Sequence, residues 1–249
     1  MIRAILARLK QGHRTTSYPR EPVVMPERFR GYPSLVTRDT DDRCQVPGEA
    51  CPYGAISWDG GVSLDMGKCL FCAECPASDA VTFTNDPSLA ASVRNQLVVR
   101  PGEERRFALP LPADLRKLFG RSLKFREVSA GGCNACEADT NVLSTIGWDL
   151  GRFGIQFVAS PRHADGLWVT GPVTKNMRDA LLKTYEAIPA PKIVVACGAC
   201  AIQGGPYQDS PEVCNGVESL VPVDLYIPGC PPHPVTILDG LLRILDRLK

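Results

Sequence analysis

The second half of the chain alternates between short apolar runs and longer segments in which apolar residues recur at helical spacing. Five runs have the length and character of strands, at residues 123–128, 155–159, 167–170, 193–196 and 225–227. Three segments have the period of amphipathic helices, at residues 137–145, 175–186 and 234–248. This alternation predicts an α/β fold for residues 122–249, a flavodoxin-like parallel sheet with helices on both faces.

Residues 1–36 carry a different pattern, which predicts a short amphipathic helix and an extended arm. Residues 1–14 are basic, and their apolar positions follow the i, i+3, i+4, i+7 spacing of a helix: Ile2, Ile5, Leu6 and Leu9. The stretch 15–42 is rich in proline and arginine and needs a surface to lie on, which predicts a larger assembly. Packing on a neighbouring subunit is the preferred interpretation of the helix, and weak interfacial contact with a membrane is the other.

The pattern at residues 37–88 predicts a small α+β unit, and that at residues 89–121 predicts a linker. Strand-like pieces at 55–58 and 80–84 each follow a segment that contains cysteines. Within the linker, a weak strand signal at 97–99 precedes a stretch rich in proline, glutamate and arginine. Asp114 is placed to cap a short helix that ends at Phe119.

Composition limits the classes of partner. The chain has 249 residues, 44% of them hydrophobic and 22% charged, with a formal net charge of +1. A charge this small gives no electrostatic case for nucleic acid or an anionic membrane as the main partner. Because no run of about 18 apolar residues occurs, we expect no membrane-spanning segment.

The 11 cysteines indicate metal ligation. Their odd number and their Cys-x-x-Cys pairs fit poorly with the disulfide framework of a small secreted domain. Thiolate ligation of a metal in a reducing compartment is the better interpretation.

The first group of cysteines matches a degenerate bacterial ferredoxin motif. That motif is C-x2-C-x2-C-x3-C-P, and the fourth cysteine of each copy ligates the cluster of the other copy. One cluster keeps all four ligands: Cys51, Cys69, Cys72 and Cys75. The positions of the other cluster hold one cysteine and three other residues: Cys44, Asp41, Pro47 and Asp79. A zinc site built from the four retained thiolates is the alternative.

The second group of cysteines lies on loops that follow predicted strands. Cys133 and Cys136 follow the strand at 123–128, and two more follow later strands, Cys200 and Cys230. Because the carboxyl ends of parallel strands meet at one edge, these thiols are expected to gather there and hold a [4Fe-4S] cluster. A phosphate site is the alternative for the glycines of these loops, although neither the dinucleotide fingerprint nor the P-loop is complete.

Several other residues keep two interpretations. Glu137 directly follows a predicted ligand and is either a candidate proton relay or a helix N-terminal charge. Cys197 ends an apolar strand and is preferably a packed thiol, with substitution for Cys200 as the alternative. The roles of Cys44, Cys214 and His163 stay open.

The residues 122–245 resemble the small subunit of membrane-bound, energy-converting [NiFe] hydrogenases, such as those of formate hydrogenlyase. The same family includes the terminal-cluster subunit of respiratory complex I. The resemblance is carried by GCNACE at 132–137, SPRHAD at 160–165, GPVT at 171–174, GACA at 198–201 and PVDLYIPGCPP at 222–232. It implies a proximal cluster on Cys133, Cys136, Cys200 and Cys230, and docking onto a large catalytic subunit with Glu137 at that interface. The spacing Cys133-x-x-Cys136 favours the hydrogenase side, because complex I subunits carry adjacent cysteines there.

Residues 1 to about 85 resemble a neighbouring component of the same complexes, the ferredoxin-like iron–sulfur subunit. SYP at 17–19 and FRG at 29–31 match its arm, and the loss of one of its two clusters is the departure. The chain is thus expected to be a fusion that holds two [4Fe-4S] clusters and relays electrons to or from a hydrogenase-type large subunit, without a catalytic constellation of its own. The implied location is peripheral, at the cytoplasmic face of the inner membrane beside membrane-arm subunits.

Two rival functions stay open at this point. One keeps the relay but gives it a large subunit that lacks nickel and handles quinone or another acceptor. The other is a zinc protein that serves as an assembly scaffold.

Overall fold

The computed structural model describes residues 2–12, 14–36, 51–58, 61–75 and 81–248. Ahead of residue 122 its elements are α1 (Ile2–Gln11), β1 (Pro33–Leu35), β2 (Ile56–Ser57), β3 (Ser63–Asp65), β4 (Val81–Phe83), β5 (Val98–Val99) and α2 (Ala113–Phe119). The later elements are β6 (Leu123–Ser129), α3 (Ala135–Val142), β7 (Ile155–Phe157), β8 (Gly166–Thr170), α4 (Lys175–Ala187), β9 (Ile193–Cys197), α5 (Ala199–Gln203), β10 (Leu225–Ile227) and α6 (Pro234–Ile244). No helix within these ranges is long and apolar enough to cross a membrane.

The strands after residue 122 form one sheet of five strands, in the order β10, β9, β8, β6, β7. Every neighbouring pair in this sheet is parallel. The chain order reverses between β6 and β8, which is the flavodoxin-like doubly wound arrangement. The α/β fold predicted from the sequence is therefore confirmed. Ligands of such sheets bind beyond the carboxyl ends of the strands at the reversal, here between β6 and β8.

Alternate residues of the strands enter two separate cores. Phe125, Trp168 and Val195 pack on one face with α6, whereas Val128 and Val169 pack on the other with α4 and α5. β8 and β9 are buried at every position, as expected for strands that helices cover on both faces. Helices on both faces explain why these two strands read as uninterrupted apolar runs.

The N-terminal half shares one of these cores. β2, β3 and β5 form an antiparallel sheet, and β1 pairs antiparallel with β4. Met66 and Leu97 are buried in the same cluster as Ile202 of α5. Ala91 and Tyr226 exchange backbone hydrogen bonds of 3.0 and 2.8 Å, so the chain near residue 91 adds a bridge to β10 at the sheet edge.

The described part of the arm lies on the chain itself. Arg152 donates hydrogen bonds to the carbonyl oxygens of Thr16 and Tyr18, both at 2.8 Å. The Tyr18 hydroxyl donates to Asp239 on α6 at 2.8 Å. The α/β part of the same polypeptide therefore supplies the surface that the arm was predicted to need.

Some predicted details are wrong. The last helix ends at Ile244 rather than residue 248, because Asp246 adopts a left-handed conformation with φ 58°. Asp114 does not cap α2, since it lies inside the first turn and Pro112 precedes the helix. The predicted positions of a second ferredoxin cluster lie outside the described residues, so the ferredoxin-like unit stays a prediction. These positions are Asp41, Cys44, Pro47 and Asp79.

Candidate functional site

The loop after β6 lies at the reversal point of the sheet. Gly131 and Asn134 adopt left-handed conformations, with φ 88° and 71°, and the chain then enters α3. A Cβ added to Gly132 would lie 3.1 Å from the Cα of Gly171, which follows β8. The loops after β6 and β8 are thus in close contact, and the first carries Cys133 and Cys136 to the expected edge of the sheet.

Four cysteines come together at this edge: Cys133, Cys136, Cys200 and Cys230. Burial raises the pKa of Cys136, and the charges of Cys200, Glu137, Cys230 and Cys133 raise it further. Burial raises the pKa of Cys200 to about 12, and Cys230 and Cys133 act in the same direction. Thiols with raised pKa values are poorly ionised by themselves, and a bound metal would supply the positive charge that thiolates here require.

Two glycines keep space around the sulfur atoms of this second cysteine group. A Cβ on Gly198 would lie 2.5 Å from the Sγ of Cys136, and one on Gly205 would lie 2.7 Å from the Sγ of Cys200. Both glycines also have positive φ, 92° and 55°. The backbone therefore approaches the sulfurs more closely than any side chain would allow, as at sites where a bulky ligand meets bare backbone.

The first cysteine group also comes together. Cys51, Cys69, Cys72 and Cys75 line one cavity of about 50 Å³ with the apolar residues Ala55, Ile56, Leu64 and Leu70. Burial raises the pKa of Cys69 to about 12, and the charges of Cys75, Cys51 and Cys72 contribute to the rise. The crossed pairing predicted from the ferredoxin motif is thus compatible with the positions of all four thiols.

The loop between Cys69 and Cys75 points a backbone donor at sulfur. The N–H of Phe71 donates to the Sγ of Cys69 at 3.3 Å. Phe71 and Ala73 both adopt left-handed conformations, with φ 53° and 60°. Curled loops that donate N–H groups to cysteine sulfur are typical of iron–sulfur ligation, where such bonds tune the reduction potential.

The two cysteine groups lie near each other. Burial raises the pKa of Cys230, and the charge of Cys72 from the first group acts on it together with that of Cys133. A single cavity of about 200 Å³ is lined by Leu70 and Phe71 of the first group's loop and by Cys230 and Pro231 of the second. The N-terminal arm forms part of the same cavity wall.

Each of the two groups offers four thiols as possible metal ligands. In a cubane, each of four thiolates binds a different iron atom. The all-thiolate sets and the glycine backbone near the sulfurs therefore fit [4Fe-4S] clusters.

Two glutamates lie beside the second cysteine group, and only one of them was predicted. Glu137 is buried, and its Oε1 accepts hydrogen bonds from Ser129 and Thr170, the latter at 2.7 Å. Glu127 was missed, although a glutamate inside the predicted strand at 123–128 is a usable signal. Burial and the charge of Glu137 raise the pKa of Glu127 to about 7, against the opposing charge of Arg126.

The remaining candidate residues differ in how deeply they are buried. Cys197 is completely buried in the same apolar core as Trp168, as a packed thiol would be. Cys214 lies in a partly buried loop, and His163 is exposed in a short turn. His233, which sequence reasoning missed, accepts the N–H of Val235 at the start of α6 and contacts the rings of Phe29 and Trp148.

Known proteins are similar to the part of the chain that contains the second cysteine group. The profile of the family described as NADH ubiquinone oxidoreductase, 20 kDa subunit, matches residues 133–244. The probable membrane-bound hydrogenase subunit mbhJ of Pyrococcus furiosus is 43% identical over 136 residues, which cover 55% of this chain and 81% of that protein. Formate hydrogenlyase subunit 7 of Escherichia coli is 43% identical over 139 residues, which cover 56% of this chain and 54% of that protein.

The chain thus spans about half the length of the second relative. Among solved structures, a chain of an archaeal membrane-bound sulfane sulfur reductase is 34% identical. That match covers 54% of this chain and 74% of the other, with a TM-score of 0.47. The residues ahead of 133 lie outside the family match.

Proposed function

Because this chain belongs to the family of the NADH ubiquinone oxidoreductase 20 kDa subunit, we propose that it is an electron-transfer iron–sulfur subunit of a membrane-bound [NiFe] hydrogenase-type complex. It would relay electrons between its two cysteine groups and the active site of a partner large subunit. The observation that carries the proposal is that eight cysteines form two adjacent groups of four.

Each cysteine group would hold one [4Fe-4S] cluster, and a bound cluster supplies one-electron chemistry. Cys51, Cys69, Cys72 and Cys75 would ligate the first cluster. Cys133, Cys136, Cys200 and Cys230 would ligate the second. The apolar wall around Cys69 excludes water, and the glycine backbone beside Cys136 and Cys200 leaves room for the inorganic core.

The exposed surface supports docking at the second group. Cys133 and Cys230 are exposed, and so are the apolar side chains of Val142 and Ile146, which follow Cys133 along the chain. Exposed thiols that must carry a cluster require cover from another subunit, since solvent would otherwise reach the cluster. The partners proposed are therefore the large subunit at this edge and membrane-arm subunits of the complex, at the cytoplasmic face of the membrane.

The rival relay function differs only in the large subunit. The description of the family profile, an NADH ubiquinone oxidoreductase subunit, is the observation that favours a nickel-free complex which passes electrons to quinone. The neighbouring large subunit distinguishes the two, because paired Cys-x-x-Cys motifs are needed to hold a nickel–iron centre.

The proposal is tested on the full chain purified without oxygen. We expect about eight iron atoms per chain, visible iron–sulfur absorbance and two cluster signals by electron paramagnetic resonance. Cys69→Ser should remove one signal and Cys200→Ser the other, whereas the matched control Cys197→Ser should keep both. A colourless protein with stoichiometric zinc would refute the proposal.

A further inference from the structure

The cavity between the two cysteine groups is closed on one side by the N-terminal arm. Arg28, Phe29 and Arg30 line it together with Phe71 of the first group's loop and Cys230 of the second. The arm therefore places two basic side chains within the wall that separates the proposed clusters. Nothing in the cysteine motifs requires these side chains.

Arg30 makes a direct contact with the first cluster loop. Its Nη1 donates a hydrogen bond to the carbonyl oxygen of Phe71 at 3.2 Å, inside the Cys69-x-x-Cys72 turn. The side chain is partly buried, whereas that of Arg28 is exposed. A partly buried charge is screened less by solvent than an exposed one, so Arg30 acts more strongly on its surroundings.

The backbone beside Arg30 is held tightly. The N–H of Gly31 donates to the carbonyl oxygen of Thr84 at 2.7 Å, and that of Tyr32 donates to Asp86 at 2.9 Å. A Cβ on Gly31 would lie 2.1 Å from the carbonyl oxygen of Asp86, so only glycine fits this approach. On the other side, the ring of Phe29 contacts that of His233 edge-on, at 5.4 Å between centroids. The residues on both sides of Arg30 are thereby held in place, which fixes the backbone that carries its side chain.

The charge of Arg30 reaches the first cysteine group. Phe71, whose carbonyl oxygen accepts from Arg30, donates its own N–H to the Sγ of Cys69 at 3.3 Å, so one peptide segment links the guanidinium to a ligand sulfur. A positive charge that favours a thiolate also favours any further negative charge placed among the same sulfurs.

We propose that Arg30 is a positioning residue that raises the reduction potential of the cluster held by Cys51, Cys69, Cys72 and Cys75. The proposal rests on the proposed function, since it needs a cluster at that group. The cluster gains one electron from its donor and releases one electron to its acceptor, and no bond or proton changes place. The fixed guanidinium stabilises the reduced form and leaves the oxidised form less favoured.

The test compares redox titrations of the cluster-loaded full chain, followed by electron paramagnetic resonance, in three variants. In Arg30→Gln the midpoint of the first cluster should fall, so that the ratio of reduced to oxidised cluster at a fixed potential drops about tenfold. Arg30→Lys should restore most of this ratio, because lysine keeps the charge. Arg20→Gln, the same change at an exposed position of the arm that does not line the cavity, is the matched control and should leave the ratio unchanged.

The outcomes separate this proposal from the one on which it depends. A wild-type chain without clusters refutes the proposed function, whereas a loaded Arg30→Gln chain with an unchanged midpoint refutes only the role of Arg30. Should the glutamine variant fail to load, Arg30→His decides: its midpoint should fall between pH 5.5 and 8 more than the wild-type midpoint. Parallel pH dependences in these two proteins would overturn the proposal.

Discussion

Glu127 offers the sharpest test of the electrostatics around the second cysteine group. It lies on β6 in register with the fully buried Trp168 of β8. Its Oε1 is buried and has no hydrogen-bond partner among the described residues, and the same holds for Oε2 of Glu137. An unpartnered buried carboxylate is costly, so the protonated form of Glu127 is favoured in the folded chain. We predict that Glu127→Gln, which mimics that form, stabilises the protein at high pH.

The magnitude follows from the pKa. A rise from the ordinary value of 4.5 to about 7 corresponds to about 3 kcal/mol of unfolding free energy. The side chain keeps partial access to solvent, and screening reduces this figure to about 1–2 kcal/mol. Because the folded chain binds this proton more tightly than the unfolded chain, the stability is fully present below pH 4.5 and is lost as the pH rises through about 7.

The assay is thermal unfolding of the cluster-loaded chain by circular dichroism, at pH 5 and pH 8 and one scan rate. The variant should match the wild type at pH 5 and exceed its Tm by about 2–8 °C at pH 8. Glu104→Gln, the same change at an exposed position, is the control and should show no pH-dependent difference. An equal Tm difference at both pH values would refute the reasoning.

Three further predictions concern the glycine beside Cys136, the buried Asp239 and the helix α1. Gly198→Ala should lower the iron content by about half, because its Cβ would meet the Sγ of Cys136 at 2.5 Å; Gly102→Ala, also at positive φ but with open space around it, should load fully. Asp239→Asn should destabilise the chain by about 3 kcal/mol in denaturant unfolding, because the buried carboxylate accepts from Arg243 and Tyr18 at 2.7 and 2.8 Å; a loss below about 1 kcal/mol would contradict this. Ile5→Asp with Leu9→Asp changes the exposed apolar face of α1 and should release the chain from the proposed membrane complex in a flotation assay, with iron content unchanged. Full retention would show that α1 makes no docking contact.

The parallel sheet could be predicted because its signal is local. β8 and β9 are continuous apolar runs, and burial on both faces is the physical cause. The placement of Cys133, Cys200 and Cys230 at one edge then followed from topology, since the carboxyl ends of parallel strands coincide.

The features that were missed depend on contacts between distant segments. β1 pairs with β4 across about 50 residues, and no periodicity in a proline-rich arm indicates such a partner. The early end of α6 depends on the left-handed Asp246, for which helical spacing gives no signal. An electron relay requires the two cysteine groups to lie near each other, but the particular approach of Cys72 to Cys230 joins the two halves of the chain, and neither motif by itself indicates it.

The buried contacts of Met66 and Leu97 with the α5 side of the sheet have a consequence for how the polypeptide behaves when cut. A fragment that begins at residue 122 would leave Ile202 and its apolar neighbours facing water, and it would lose the bridge from Ala91 to Tyr226. Each half covers apolar residues of the other, so the two are expected to unfold cooperatively in a single transition. Any stand-alone version of the second half would have to borrow an equivalent cover from another polypeptide.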